Sequence, residues 1–160
     1  MSDKLIDWRK QGVKRDRRFE SLILVLSSGQ TTVFQHLKDI MVFAAMVGFS
    51  SGTRRSLNSN DTISIILDTY STDNKDSFIY LLAMMENKNA VCLKDENLAE
   101  SIKIFEEYCN SGLYIIEGWR DENPADDITD IILNKIYEKL EETHDTGLEV
   151  DNSNLELKGF

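Results

Sequence analysis

The sequence is dominated by one apolar run, Ile40-Met41-Val42-Phe43-Ala44-Ala45-Met46-Val47-Gly48-Phe49. Thr32 and Gln35 upstream form a capping-box pattern, which predicts a helix from Thr32 to about Gly48. From Ile40 onward this helix has no polar residue on any face, so other elements must surround it. Ten residues are about half of the ~20 needed to span a bilayer. We therefore expect the central helix of a globular fold or an oligomer interface, and no membrane association.

The composition favours helices. The 160 residues include only 1 Pro and 8 Gly, too few for the many tight turns of an all-β protein. We expect a mainly α fold with a small β element (α+β), in which about five helices surround the central apolar helix beside one short strand pair. The predicted organisation is a polar basic arm over 1–16, a single globular domain over 17–142 and an acidic C-terminal tail over 143–160.

Periodicity places the other elements. The predicted strand pair is Thr62–Thr69 with Leu113–Glu117, and helices are predicted over about 17–26, 76–86 and 95–110. Ser111-Gly112 is expected to end the third of these helices. Asn123-Pro124 predicts the start of a last helix that runs to about Glu142. The residues that this helix is expected to bury are Ile128, Ile131, Ile132, Ile136 and Leu140.

The charge is divided unevenly along the chain. Lys and Arg number 18 against 28 Asp and Glu, giving −10, yet residues 1–60 carry +5 and residues 61–160 carry −15. The candidate contact residues in the basic half are Lys14, Arg15, Arg17, Arg18, Arg54 and Arg55. Such clusters attract nucleic-acid phosphates. The other interpretation is that they pair with the acidic half of the same molecule or of a neighbour.

No pattern of catalytic residues is present. Cys92 and Cys109 form no C-x-x-C pair and are expected in the core, and His36 and His144 each lack a second ligand at i+3 or i+4. Nucleotide-phosphate loop motifs are missing. The acidic residues of 121–130 are predicted to be the solvated start of a helix. We predict a protein that is not an enzyme, with no catalytic, cofactor-binding or metal residues, located in the cytoplasm because no signal-peptide pattern is visible.

Three segments carry unusual motifs. They are Val13-Lys14-Arg15-Asp16-Arg17-Arg18-Phe19-Glu20, the FAAxxGF-containing stretch from Asp39 to Phe49 that continues to Gly52-Thr53-Arg54-Arg55-Ser56-Leu57, and Lys103-Ile104-Phe105-Glu106-Glu107-Tyr108-Cys109-Asn110-Ser111-Gly112-Leu113. In their order and spacing, the chain resembles the DNA phosphorothioation-associated proteins known as Dnd system-associated protein 4. The resemblance covers about residues 13 to 118. Cys109 and Ser111 stand where the family is expected to have small residues such as Ala and Gly.

The resemblance implies a functional context and no catalytic residue. It implies an accessory component of the systems that replace a non-bridging phosphate oxygen of DNA with sulfur, or that restrict DNA lacking this mark. The family's basic positions fall on Arg15, Arg17, Arg18, Arg54 and Arg55. We predict a non-catalytic accessory protein of such a modification or defence system that binds protein partners of the system, DNA, or both, with self-association left open. The alternatives are a small DNA-binding transcriptional regulator, which uses the Thr32–Gly48 helix, and an acidic DNA-mimic decoy.

Overall fold

The computed structural model describes residues 7–28, 33–58 and 60–145 and shows a mainly helical fold with one small sheet. Within these residues the helices are α1 (Glu20–Ser27), α2 (Leu37–Ser50), α3 (Leu67–Ser71), α4 (Asp76–Asn87), α5 (Leu98–Glu122) and α6 (Ile128–Asp145). The strands are β1 (Gly12–Asp16) and β2 (Thr62–Ile66). The predicted fold class is therefore confirmed. No helix in the described ranges is both long and apolar enough to cross a bilayer.

The centre of the fold is the packing of α2 against α5. Ile40, Met41, Ala44 and Ala45 on α2 are fully buried, which confirms the prediction of a central apolar helix. Helix α2 begins at Leu37 and ends at Ser50, and residues 33–36 are not helical, so the predicted start at Thr32 is wrong. Thr32 itself lies outside the described residues. Both cysteines are buried and free, as predicted.

Two glycines bring α2 and α5 into backbone contact. A Cβ atom on Gly48 would overlap the carbonyl oxygen of Tyr108, and one on Gly112 would overlap the carbonyl oxygen of Ala44. Small residues at Ala44 and Gly48, four apart on one face, therefore let the helix backbones touch. The FAAxxGF motif is thus a helix-crossing motif.

This crossing corrects the prediction that Ser111-Gly112 ends a helix. Helix α5 is 25 residues long and does not end until Glu122. Gly112 lies within it and allows close packing against α2 instead of forming a C-terminal turn. The predicted strand Leu113–Glu117 is consequently wrong. Leu113 and Ile116 are fully buried on α5, and a short apolar run does not by itself distinguish a strand from a buried helix.

The strand partner of β2 lies near the N-terminus. β1 pairs antiparallel with β2, with Val13 opposite Ile65 and Arg15 opposite Ile63. The segment predicted as a basic arm, 1–16, therefore contributes a strand to the folded unit, and Val13 is fully buried. β2 ends at Ile66 and the chain turns directly into α3.

The last helix begins later than predicted. Asn123 belongs to the end of α5. Its backbone N–H donates to the carbonyl oxygen of Arg120, and its side-chain amide donates to the carbonyl oxygen of Trp119 at 2.8 Å. Helix α6 starts at Ile128, where Asp127 accepts the Thr129 N–H at 2.8 Å. It ends at Asp145, three residues beyond the predicted domain boundary, and the rest of the predicted tail lies outside the described residues.

The buried face of α6 is narrower than predicted. Ile131 and Ile132 are buried, whereas Ile136 and Leu140 are 44% and 54% exposed. Leu133 and Tyr137 are also exposed, so an apolar stripe with i, i+3, i+4, i+7 spacing faces outward.

Candidate nucleic-acid interface

Arg15, one of the six predicted contact residues, is buried. Its side chain lies on the inward face of β1 with Val13, is 5% exposed and forms an ion pair with Glu20. Its Nε and Nη1 atoms have no hydrogen-bond partner among the described residues. Arg15 is therefore part of the interior and not of an exposed basic surface.

Arg17 and Arg54 are exposed but already paired with carboxylates. The Arg17 Nε donates to Asp61 Oδ1 at 2.9 Å. Arg54 donates to Glu86 through Nη1 at 2.7 Å and to Glu107 through Nη2 at 2.6 Å. These pairs join the basic half of the chain to its acidic half, which is the second of the two interpretations of the charge pattern.

Arg18 and Arg55 meet on one aromatic ring. Their guanidinium carbons lie 4.4 Å and 4.0 Å from the centroid of Tyr114, within the range of a cation–π interaction. Arg18 also pairs with Glu117 at 2.7 Å. Arg55 is exposed, and in the described part of the chain no carboxylate lies within ion-pair distance of its guanidinium. We call Arg18, Tyr114 and Arg55 the Arg–Tyr–Arg cluster.

The remaining predicted residue, Lys14, faces a second basic group that sequence analysis did not identify. Lys14 and Lys103 line a pocket of about 250 Å³. Its other lining residues are Ser56, Leu57, Thr62, Glu106 and Glu107. We call this the lysine pocket.

One face of α5 connects the pocket to the cluster. Lys103, Glu107, Asn110 and Tyr114 are spaced four, three and four residues apart and so lie on the same side of the helix. Lys103 and Tyr114 are eleven residues apart, about 16 Å along the axis. Asn110 holds the intervening loop in place by donating to the carbonyl oxygens of Arg55 and Ser56, both at 3.1 Å. The structure therefore places Lys14, Arg55 and Arg18 along this face of α5. Arg54 also lies on it, where Glu107 neutralises its charge, whereas Arg15 is buried and Arg17 pairs with Asp61.

An apolar groove lies on a different side of α5. It has a volume of about 310 Å³ and runs between α2, α5 and α6. Its apolar lining is Phe43, Met46, Val47, Ile115, Trp119 and Ile136. Trp119 is five residues beyond Tyr114, roughly 140° around the helix, so the groove and the basic face point in different directions. Lys135 and Lys139 of α6 also line the groove.

A family model describes most of the chain. The model for DNA sulphur modification system-associated protein 4 matches residues 13–154. The chain belongs to this family. The matched range begins at β1 and includes all six helices, so it extends beyond the segments that carry the sequence resemblance. Neither a curated protein nor a solved structure matches the chain.

Membership connects the protein with a DNA sulphur modification system, as the family description states. The features that the sequence analysis missed are Lys103, Tyr114 and the groove around Trp119. Lys103 and Tyr114 carry a signal in the sequence, namely their helical spacing with Glu107 and Asn110, but only once α5 is known to pass through Gly112. The groove has no comparable signal, because three separate helices form it.

Glu106, which lines the lysine pocket, is a carboxyl group with a strongly raised pKa. Burial raises its pKa from 4.5 to about 7, although the Lys14 backbone N–H donates to its Oε1 at 2.6 Å. A carboxyl group whose pKa is higher in the folded state binds its proton more tightly when folded. Its contribution therefore stabilises the fold at acidic pH and is lost as pH rises from about 4.5 to about 7.

We expect Glu106→Gln to remove the loss of folding stability that accompanies the ionisation of Glu106. The amide can still accept the Lys14 N–H but does not ionise, so the variant should gain stability over the wild type above pH 7 and little at pH 4.5. Thermal melting across this range measures the difference. Glu100→Gln, an exposed change on the first turn of the same helix, is the control. A constant difference between Glu106→Gln and wild type at every pH would contradict the assignment.

Proposed function

We propose that the chain is a non-catalytic accessory protein of a DNA sulphur modification system and that it acts by binding another protein of that system. The observation that supports this proposal is the apolar groove between α2, α5 and α6, together with the apolar stripe of α6 beside it. Ile136 belongs to both. Contiguous apolar surface of this kind is typical of protein interaction sites.

The chemistry of the groove favours one kind of occupant. Aromatic and aliphatic side chains form most of its lining, and two lysines four residues apart on α6 line it as well. An amphipathic helix fits such a groove by placing its apolar face on the apolar lining. Acidic residues beside that face would then meet Lys135 and Lys139, which also pair with Glu138 and Glu142 of their own helix. The occupant that we propose is an amphipathic helix with acidic flanks from a protein of the same system.

Ile136→Glu is expected to abolish this complex without unfolding the chain. Ile136 is exposed, so the change costs the fold little, but it places a charge in the groove lining and repels an acidic partner. Losing one buried aliphatic contact is worth about 1.5–3 kcal/mol, and affinity should fall at least tenfold. Light scattering of the purified chain with each purified protein of the system measures complex formation.

The matched control is Leu24→Glu, which introduces the same charge at an exposed apolar residue of α1 outside the groove. It should bind like wild type. Complex formation by both variants would contradict the groove assignment, and a particle of twice the chain mass without any partner would identify a second copy of the chain as the occupant.

The proposed absence of catalysis has its own test. Burial raises the pKa of the Cys109 thiol far above its usual range, which removes the reactive thiolate. His36 is exposed just before α2 and lines neither the apolar groove nor the lysine pocket. We expect the purified chain to neither cleave DNA nor hydrolyse ATP with magnesium or manganese present. Turnover that a carboxylate substitution removes would contradict this proposal.

DNA contact is a second candidate function, supported by the Arg–Tyr–Arg cluster. Tyr114 orients two guanidinium groups that come from separate sequence clusters, and Arg55 has no carboxylate partner among the described residues. We expect Arg18→Gln with Arg55→Gln to weaken retention of DNA at low salt and to reduce the dependence of binding on salt. Arg17→Gln, at an arginine paired with Asp61, is the control. No DNA retention by wild type at low salt would eliminate this candidate.

The regulator and decoy alternatives make different predictions. A regulator that reads DNA with α2 would need that helix exposed, whereas Ile40, Met41, Ala44 and Ala45 are fully buried. A decoy should compete with DNA for an enzyme of the system, using the acidic residues 61–160. A competition assay with labelled DNA distinguishes a decoy from an accessory protein that binds beside the DNA.

A further inference from the structure

We propose that the lysine pocket is a binding site for a phosphate group. The pocket lies where four elements meet: β1 supplies Lys14, β2 supplies Thr62, the preceding loop supplies Ser56 and Leu57, and α5 supplies Lys103. Its volume of about 250 Å³ is large enough for a phosphate group with its substituent. The proposal concerns a site separate from the apolar groove and does not depend on partner binding.

The two lysines of the pocket carry positive charges that no ion pair neutralises among the described residues. Within the described residues neither Lys14 nor Lys103 has a carboxylate within 4 Å of its ammonium group, whereas most other basic residues of this surface are paired. Glu107 is occupied by Arg54, whose Nε and Nη2 both donate to Glu107 Oε2. The Ser56 and Thr62 hydroxyl groups add two further donors. A ligand with a negative charge and several acceptor oxygens can bind both the ammonium groups and the hydroxyl groups.

Glu106 makes the site sensitive to pH. The charged or titratable groups around it are Lys14 and the buried Arg15 of β1, Lys103 and Glu107 of α5, and Tyr70 of α3 with Cys109. Burial raises the pKa of Tyr70 and of Cys109, so both remain neutral. Glu106 is the group of this set that changes charge near pH 7. Below that pH its carboxyl is neutral and does not repel an anion, so binding should be tighter in acid.

Titration calorimetry of the full chain tests the proposal with three probes. Sulfate serves as the phosphate mimic because its charge is constant across this range. A nucleoside monophosphate and a dinucleotide distinguish the two sources of phosphate: a free nucleotide and a nucleic-acid backbone. Wild type should bind sulfate about tenfold more weakly one pH unit above 7 than one unit below, following the ionised fraction of Glu106. Glu106→Gln should bind equally at both.

Substitution of the lysines locates the site. Lys14→Gln with Lys103→Gln should weaken binding of sulfate and of the bound nucleotide probe at least tenfold, since two charge-assisted contacts are removed. Lys10→Gln with Lys94→Gln removes the same charge from exposed lysines elsewhere and should leave binding unchanged. Thermal melting verifies that both variants fold, and a single Lys103→Gln variant replaces the double one if Lys14→Gln disturbs β1.

The outcomes are decisive in both directions. Binding of the monophosphate alone identifies a nucleotide as the source, and binding of the dinucleotide as well identifies a nucleic-acid backbone. Either result, with loss in the Lys14 and Lys103 variants, supports the site. No binding of any probe, or equal binding by the pocket variant and its control, overturns it.

Discussion

A single methyl group at position 112 is expected to unfold the chain. In Gly112→Ala the new Cβ would overlap the carbonyl oxygen of Ala44, and this obstacle is backbone and not a side chain that can rotate away. Helices α2 and α5 would have to separate along the centre of the core. Ordinary overpacking costs about 1–3 kcal/mol. We expect a larger loss here, out of a total of about 5–15 kcal/mol for a domain.

The control for this prediction lies on the same helix. Gly118 has nothing within 4 Å of the position that its Cβ would occupy. Gly118→Ala should therefore stabilise the chain by about 0.5–1 kcal/mol, because alanine favours a helix over glycine. Thermal melting by circular dichroism should show opposite shifts for the two alanine variants. Similar melting temperatures would contradict the close crossing of α2 and α5.

The second large effect concerns the ion pair between the buried Arg15 and the partly exposed Glu20. Glu20→Ala leaves the Arg15 guanidinium buried without a carboxylate, which should cost about 3–5 kcal/mol. Arg15→Met removes the buried charge, and the Glu20 side chain that remains is 45% exposed and can be hydrated. We expect this second variant to lose at most about 1 kcal/mol, since a buried ion pair is often replaced by apolar residues at no cost.

Chemical denaturation measures both free energies of unfolding. The asymmetry between the two variants is the diagnostic result, since an exposed ion pair would give two small and similar losses of ~0–1 kcal/mol. Equal large losses in Glu20→Ala and Arg15→Met would contradict the burial of Arg15. DNA retention by Arg15→Met should equal that of wild type, because Arg15 does not reach the surface.

The fold was predictable where its signal is local. The apolar run from Ile40 predicts a buried helix, because a helix without a polar face has no other place in a folded chain, and this helix is central. The Gly112 prediction failed because glycine has two uses: it ends helices, and it allows helix backbones to approach each other. Which of these two roles Gly112 has depends on the position of Ala44 on α2, where the two helices cross. The partner of β2 was missed for the same reason, since strand pairing depends on contacts between distant residues.

The candidate interface was predictable only in part. The six basic residues were identified from their number and proximity in sequence, but their roles depend on which carboxylates the fold brings to them. Glu107 and Asp61 are distant in sequence from the arginines that they pair with, so no local pattern could predict which arginines remain available. Arg15 alternates with Lys14 on β1, and the register of that strand places one of them inside and the other at the lysine pocket.

The most direct test of partner binding is affinity co-purification from a host that carries the DNA sulphur modification system. Wild type and Leu24→Glu are expected to retain the same protein of that system, and Ile136→Glu is expected to lose it while melting like wild type. Retention of a system protein by all three chains, or by none of them, would contradict the proposal that this family member acts by binding a partner in the groove between α2, α5 and α6.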